Sequence, residues 1–228
     1  MCTNEKHRFG GFSTDPDDKV TTHQKGFREY LLCEVWEGRL NVWETYAREV
    51  LFGGCELEMS AAPDNPLVAA TARGVDYVKF KLFSMSLLWR AGVSSLDMFE
   101  LVDLGPHAER LRKLILDKQP GAHWQYGFGV IVAPDPESDV ESPFSKVIDN
   151  PESLRFKSHR TYRFMLGNMF WLFPVSGQMQ SLERDSFYFS LFEDGRLTFY
   201  NGGQIATEYL HGFAADLRDA DRARSGRT

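Results

Sequence analysis

The run Val75-Asp-Tyr-Val-Lys-Phe-Lys-Leu-Phe-Ser-Met-Ser-Leu-Leu-Trp-Arg-Ala91 limits this chain more than any other stretch of it. Val78, Leu82, Met85 and Trp89 recur at helical spacing, and so do Phe80, Phe83, Leu87 and Ala91. Two apolar series on one helix leave only a narrow polar stripe, formed by Lys79, Ser86 and Arg90. A helix apolar around most of its circumference is buried, so the run predicts the central helix of a core. Asp76 is placed to cap its start, and Gly92 suits the left-handed position after its last turn. The run does not suit a membrane. It is short and carries Lys79, Lys81 and Arg90, whereas a span needs about 20 apolar residues.

The helix needs partners, and the composition supplies them. Of 228 residues, 43% are hydrophobic and 18 are Phe, enough for a substantial core in one large domain or two small ones. The net charge of −6 argues against a surface coated for nucleic acid but leaves room for a local basic patch. Cys2, Cys33 and Cys55 form no paired framework, and the odd count fits a reducing cytosol better than secretion. Residues 1–25 are polar and lack the apolar segment of a signal peptide. The expected localisation is cytoplasmic.

Residues 1–26 read as a flexible arm with a turn at Asp15-Pro16-Asp17-Asp18. His7 and His23 lie in it as solvated histidines or, in the alternative, as metal ligands. A single α+β domain is expected over 27–217, helical to about 118 and β-rich from about 127, with a disordered tail over 218–228. In the helical part, Trp36, Leu40, Trp43, Ala47 and Val50 make one apolar face, closed by Gly53-Gly54. Gly38 inside it costs about 1 kcal/mol against Ala. Short strands are expected near Glu56–Ser60 and Leu67–Ala72, a short helix over Leu96–Leu101, and a helix from Pro106 to Asp117. His107 at the start of that helix is read as a surface or capping residue, with binding as the minority reading.

The β-rich part contains Gly127–Ala133, Arg160–Leu166, Met169–Pro174, Ser186–Phe192 and Arg196–Tyr200. The turn signal Glu193-Asp194-Gly195 joins the last two. These strands predict a mostly antiparallel sheet packed on the helices. Pro134 to Pro151 reads as an exposed acidic loop. A last helix is expected from about Ile205.

Two motifs resemble a family of uncharacterised bacterial proteins. One is Leu31-Leu-Cys33 with Glu37-x-Arg39-Leu40 and Trp43-Glu-x-Tyr-Ala47. The other is Phe80-Lys-Leu-Phe83, Leu88-Trp-Arg-Ala91, Val102-Asp-Leu-Gly-Pro-His107 and Leu111-Arg112. Together they cover about half the chain. The resemblance implies a small HNH-like, treble-clef zinc module ahead of this region, with a Cys pair, a Ser-His-Ile-Ile-Pro motif and a Cys-x-x-Cys-Glu knuckle. Thiolates in such a module hold a zinc that folds a segment too small for its own core. In HNH enzymes a histidine activates water beside a divalent metal.

This chain departs from that pattern. The knuckle reads Cys33-Glu34-Val35-Trp36, and Trp36 cannot ligate zinc. Cys33 is then a leftover ligand position, expected as a buried thiol, with Trp36 filling the space of the metal. No upstream Cys pair is present, so zinc is expected only with an upstream half. An improvised site of Cys2, Cys33, His7 and His23 matches no ligand spacing. The implied function is a non-catalytic recognition domain associated with HNH nucleases, acting on a protein or a nucleic acid. The alternative is a truncated HNH-type endonuclease.

A third reading rests on the residues alone. In Arg155-Phe-Lys157-Ser-His159-Arg160-Thr-Tyr-Arg163-Phe164, basic groups interleave with aromatics. Arg155, Lys157 and His159 would share one face of a strand, and Arg160 and Arg163 follow. Such a cluster can grip a phosphate backbone and stack on bases. The plainer reading is an exposed strand protected by charge against edge pairing. Signatures of serine hydrolases, nucleotide-binding loops and zinc proteases are absent from the sequence.

Overall fold

The computed structural model describes residues 9–11, 17, 21–23, 29, 31–54, 56–60, 68–133, 148–156, 159–178, 181–184 and 189–225. Helix α1 spans Glu34–Phe52 and buries Leu40, Trp43, Ala47 and Val50, the face its spacing predicts. Gly53, at φ 83°, ends it with its N–H on the Glu49 carbonyl, a conformation glycine adopts at no steric cost. Helix α2 spans Tyr77–Val93, and the Asp76 carboxylate caps it by accepting from the Lys79 N–H at 3.0 Å. α2 is buried around most of its girth, from Phe80 through Ala91, as the double apolar series requires. Val78, counted in that series, is exposed.

Gly92 corrects the expected end of α2. It lies inside the helix, and a Cβ there would come within 2.3 Å of the Leu104 side chain. The glycine serves a close approach between segments, not a left-handed cap. A 3-10 turn at Asp97–Phe99 follows, then α3 at Pro106–Leu116 with Pro106 in its first turn.

The main sheet has seven strands in the order β3-β4-β9-β5-β8-β7-β6. These are β3 Glu58–Ser60, β4 Val68–Arg73, β5 Gly129–Val132, β6 Ile148–Phe156, β7 His159–Leu166, β8 Met169–Val175 and β9 Leu197–Asn201. Pairing is antiparallel except between β5 and β9. The α+β expectation with a mostly antiparallel sheet therefore holds. β1 (Phe9–Gly11) and β2 (Thr21–His23) pair separately within the segment read as an arm. A one-turn helix, α4, spans Ser181–Arg184. Among the described residues no helix is long and apolar enough to cross a membrane.

The core lies where α2 meets one face of the sheet. Phe80 stacks on Phe128 and Trp171, with centroids 5.9 and 6.2 Å away, and Phe83 meets Trp171 edge-on. Tyr162, Phe164, Phe173 and Leu197 extend this layer, flanked by α1 and α3. The other face carries a small cluster of Ala133, Met165, Phe170 and Ala206 beneath α5, Gly203–Ser225.

Three expectations change. Residues 148–151 belong to β6 rather than to an exposed loop, while 134–147 lie outside the described residues. Of the expected strand 186–192, residues 186–188 lie outside the described residues. Ser190 there joins neighbouring strands through isolated bonds, taking the Val130 N–H on its hydroxyl at 2.7 Å. The tail expected as disordered is helical through Ser225, and Ala220 in it is 4% exposed.

Candidate functional site

β6 and β7 form a hairpin at the sheet edge, and its register decides what the basic cluster becomes. Arg155 lies opposite Arg160, Phe156 opposite His159, and Glu152 opposite Arg163. Directly opposed residues share a face, and successive residues alternate. Arg155 and Arg160 therefore lie on the face of Tyr162 and Phe164, while Arg163 and His159 lie on the other. The expectation that Arg155 and His159 share a face is corrected, because the chain reverses between them. Lys157 lies outside the described residues.

The two faces treat their arginines differently. Arg163 is engaged. It pairs with the Glu152 carboxylate at 2.7 Å, and its guanidinium sits 4.1 Å over the Tyr209 ring and 5.7 Å from Phe170. The Tyr209 hydroxyl also reaches Asp149 at 3.3 Å and Glu152 at 3.2 Å. Burial, with the Glu152 charge, raises the Asp149 carboxyl above its usual range despite these hydrogen bonds.

Arg155 is exposed and has no ion pair or side-chain hydrogen bond among the described residues. Arg160 is 57% exposed, lying 3.9 Å from the Asp103 carboxylate and 3.4 Å from the Asp103 carbonyl. The Tyr162 hydroxyl donates to the same carbonyl. Thus the turn between Leu101 and α3 is seated on β7 beside the two arginines. Gly105 in this turn has φ 48° and ψ −130°, and its N–H donates to Asp103 Oδ1 at 3.0 Å. The β-carbon of another residue would make that conformation costly.

His107 is buried rather than on the surface. Its Nδ1 is 3.0 Å from the Tyr126 hydroxyl, and burial followed by the Arg110 charge lowers its pKa. Cys33 is exposed instead of buried, and Trp36 is half-buried under the Arg39 guanidinium at 4.4 Å. Cys2 and His7 lie outside the described residues, as does the side chain of His23 in β2. Among the described residues, no group of three or more His, Cys, Asp or Glu side chains is arranged to hold a metal ion.

A second polar cluster lies deeper. Lys81 on α2 is 1% exposed, and its amine donates to the His123 carbonyl at 3.0 Å. Burial pushes its pKa down to about 7, with the Glu193 charge opposing the shift. The Glu193 carboxylate accepts the His123 N–H at 2.7 Å and lies 2.9 Å from its Nδ1. Burial raises Glu193, but these bonds and its own amide outweigh it and hold the carboxyl below its usual range. Tyr77 donates to the Gly121 carbonyl at 2.7 Å.

The chain was compared with models of known families, with curated proteins and with solved structures. Nothing matches.

Chemically, the hairpin end offers two exposed guanidinium forks and one short acidic neighbour, which suits an anionic oxygen ligand. The Lys81 cluster is closed to solvent at the amine and acts on the segment it holds. Sequence reasoning counted Lys81 only as a charge against a membrane span. A signal is present: Tyr77, Lys81, Ser84 and Leu88 fall on one helical row outside the Lys79–Ser86–Arg90 stripe, so a lysine there has to be buried or snorkel.

Proposed function

We propose that this chain is a non-catalytic recognition domain whose β6–β7 hairpin end contacts the phosphate backbone of a nucleic acid. The observation that carries the reading is the placement of Arg155 directly opposite Arg160, both exposed. Like charges opposite each other on a sheet are destabilising, and the exposed Asp103 offsets this only in part. An anionic partner would neutralise both at once. The sequence adds Lys157 between them. The resemblance of α1, α2 and the 102–107 turn to an HNH-associated family supports the same class of partner.

The rival account is that the arginines guard an edge strand, since β6 is outermost in the sheet. Fluorescence anisotropy with a labelled DNA oligonucleotide at several salt concentrations separates the two. Phosphate binding predicts affinity falling steeply with salt. The log–log slope should become shallower by roughly 0.9 in Arg155→Ala, and again in Arg160→Ala, since each variant neutralises one phosphate fewer. Affinity unchanged in both variants, with no salt dependence, leaves edge protection as the role. Cleavage of the oligonucleotide on adding Mg²⁺ overturns the non-catalytic assignment in favour of the endonuclease reading.

A further inference from the structure

Residues 117–127, between α3 and β5, follow a strained path held from outside. Lys118 and Tyr126 have φ of 53° and 50° and are the only non-glycine residues with positive φ among the described residues. Gly121 between them has φ 66°. Side chains in sparsely populated backbone regions persist only where their surroundings over-determine them. Here Tyr126 is buried in the main core, the His123 ring packs 4.9 Å from Phe192, and the Gln119 N–H donates to the Leu114 carbonyl, while polar anchors come from neighbouring elements. Tyr77 holds the Gly121 carbonyl, Lys81 holds the His123 carbonyl, Glu193 holds the His123 N–H and ring, and the Tyr126 hydroxyl meets His107. Among these anchors Lys81 is distinctive. Its amine is shut from solvent with one carbonyl acceptor among the described residues, although an ammonium carries three donors.

We propose that segment 117–127 is a pH-operated latch, docked while the Lys81 amine is neutral and loosened when that amine binds a proton. A neutral amine still donates to the His123 carbonyl, whereas an ammonium there leaves donors unsatisfied in a dry site. Release of the segment gives the ammonium water. Docked, the amine titrates at about 7; exposed, it returns to its ordinary value of 10.5. The docked form therefore holds fewer protons than the released form between these limits. Docking tightens by up to tenfold per pH unit from about 7 to about 10.5, and below about 7 this dependence ends because both forms are protonated.

The groups facing Lys81 are Glu193 from the turn before β9, His123 from the segment, and Tyr77 from α2 itself. Glu193 is held below the usual carboxylate range and stays ionised across the window. Tyr77 is raised above the ordinary phenol range by burial and then by the Glu193 charge, so it stays neutral there.

The test is amide hydrogen exchange on the full chain between pH 6.5 and 9.5, with rates corrected for base catalysis of exchange. Protection of the 119–127 amides is expected to rise about fivefold from pH 7 to 8 and nearly tenfold from pH 8 to 9 in the wild type. The same rise is expected in His123→Gln, which keeps the backbone carbonyl and removes the imidazole. In Lys81→Met the rise is expected to vanish, while protection in β7 and β8 is retained. Equal slopes in wild type and Lys81→Met overturn the proposal. So does a Lys81 side-chain signal titrating near 10.5 by carbon NMR, a measurement that needs no variant.

Discussion

Two rungs of one strand pair carry arginines to opposite ends. At Glu152–Arg163 the cross-strand partners have opposite charge, touch at 2.7 Å, and are roofed by the Tyr209 ring. At Arg155–Arg160 the partners are both cations, and both are exposed. The same ladder that gains from one rung is repelled by the other. The difference teaches that residue type alone does not mark a binding surface. An arginine whose charge is matched and whose plane is covered belongs to the fold, whereas one that the fold leaves repelled is open to a partner.

The comparison can be broken at its strong rung first. Arg163→Ala leaves Asp149 and Glu152 facing Tyr209 without their cation. A loss of about 1–3 kcal/mol is expected in chemical denaturation, with nucleic-acid affinity unchanged. A wild-type denaturation midpoint in this variant would dissolve the contrast. Tyr209→Phe removes the hydroxyl that bridges Asp149 and Glu152 but keeps the ring under Arg163, so a smaller loss of about 0.5–1.5 kcal/mol is expected. The weak rung is sharpened by Arg155→Glu, which converts repulsion into attraction. It should gain about 0.2–1 kcal/mol of stability while weakening oligonucleotide binding, an opposition of signs that a purely structural Arg155 would not give.

The smallest effect concerns pH. The Asp149 carboxyl is raised in the fold, so its ionised form opposes folding above that pKa, and the penalty disappears once both folded and unfolded states are protonated. Asp149→Asn should therefore raise the melting temperature slightly at pH 7. The gap should close as pH falls through the carboxylate range. A gap that widens on acidification would reverse the assignment of burial as the cause.

What could be read from the sequence follows which residues act locally. Asp76 caps α2 through an atom three residues away, and the α1 face repeats at the spacing of its own helix, so both were visible in the order of residues. The strands over 159–175 were visible for the same reason. Gly92 suggests a cap from its local pattern, whereas its purpose is the close approach of Leu104, which nothing local records. The start of β6 was hidden by Asp149-Asn150-Pro151, which has the composition of a loop. A register shift between Asp149 and Glu152, on an edge strand, is where a sheet accepts a proline. The α5 tail was obscured by its charge, although Ala220 is buried within it.

The candidate site divides along the same line. The basic cluster was visible as composition, but reading it as one strand put Arg155 and His159 together, and only the reversal between β6 and β7 reassigns them. The partners of His107 and Lys81 are hidden more deeply, because Tyr126 lies 19 residues from His107 and His123 lies 42 residues from Lys81, distances that no periodicity encodes.

The position of β9 has a consequence for how this protein comes into being. β9 lies between β4 and β5, pairing antiparallel with one and parallel with the other. A nascent chain that has emerged only as far as β8 therefore holds its sheet in two pieces, a β3–β4 ladder and a β5–β8–β7–β6 ladder, with no strand pairing between them among the described residues. Ala72 must wait for Leu197, and Val68 for Tyr200. Pairings so distant along the chain are slow to form, since the loop must be closed before they reward it. Until then, the inner edges of both ladders stand open to pairing with other chains, and synthesis of the last strand is what closes them.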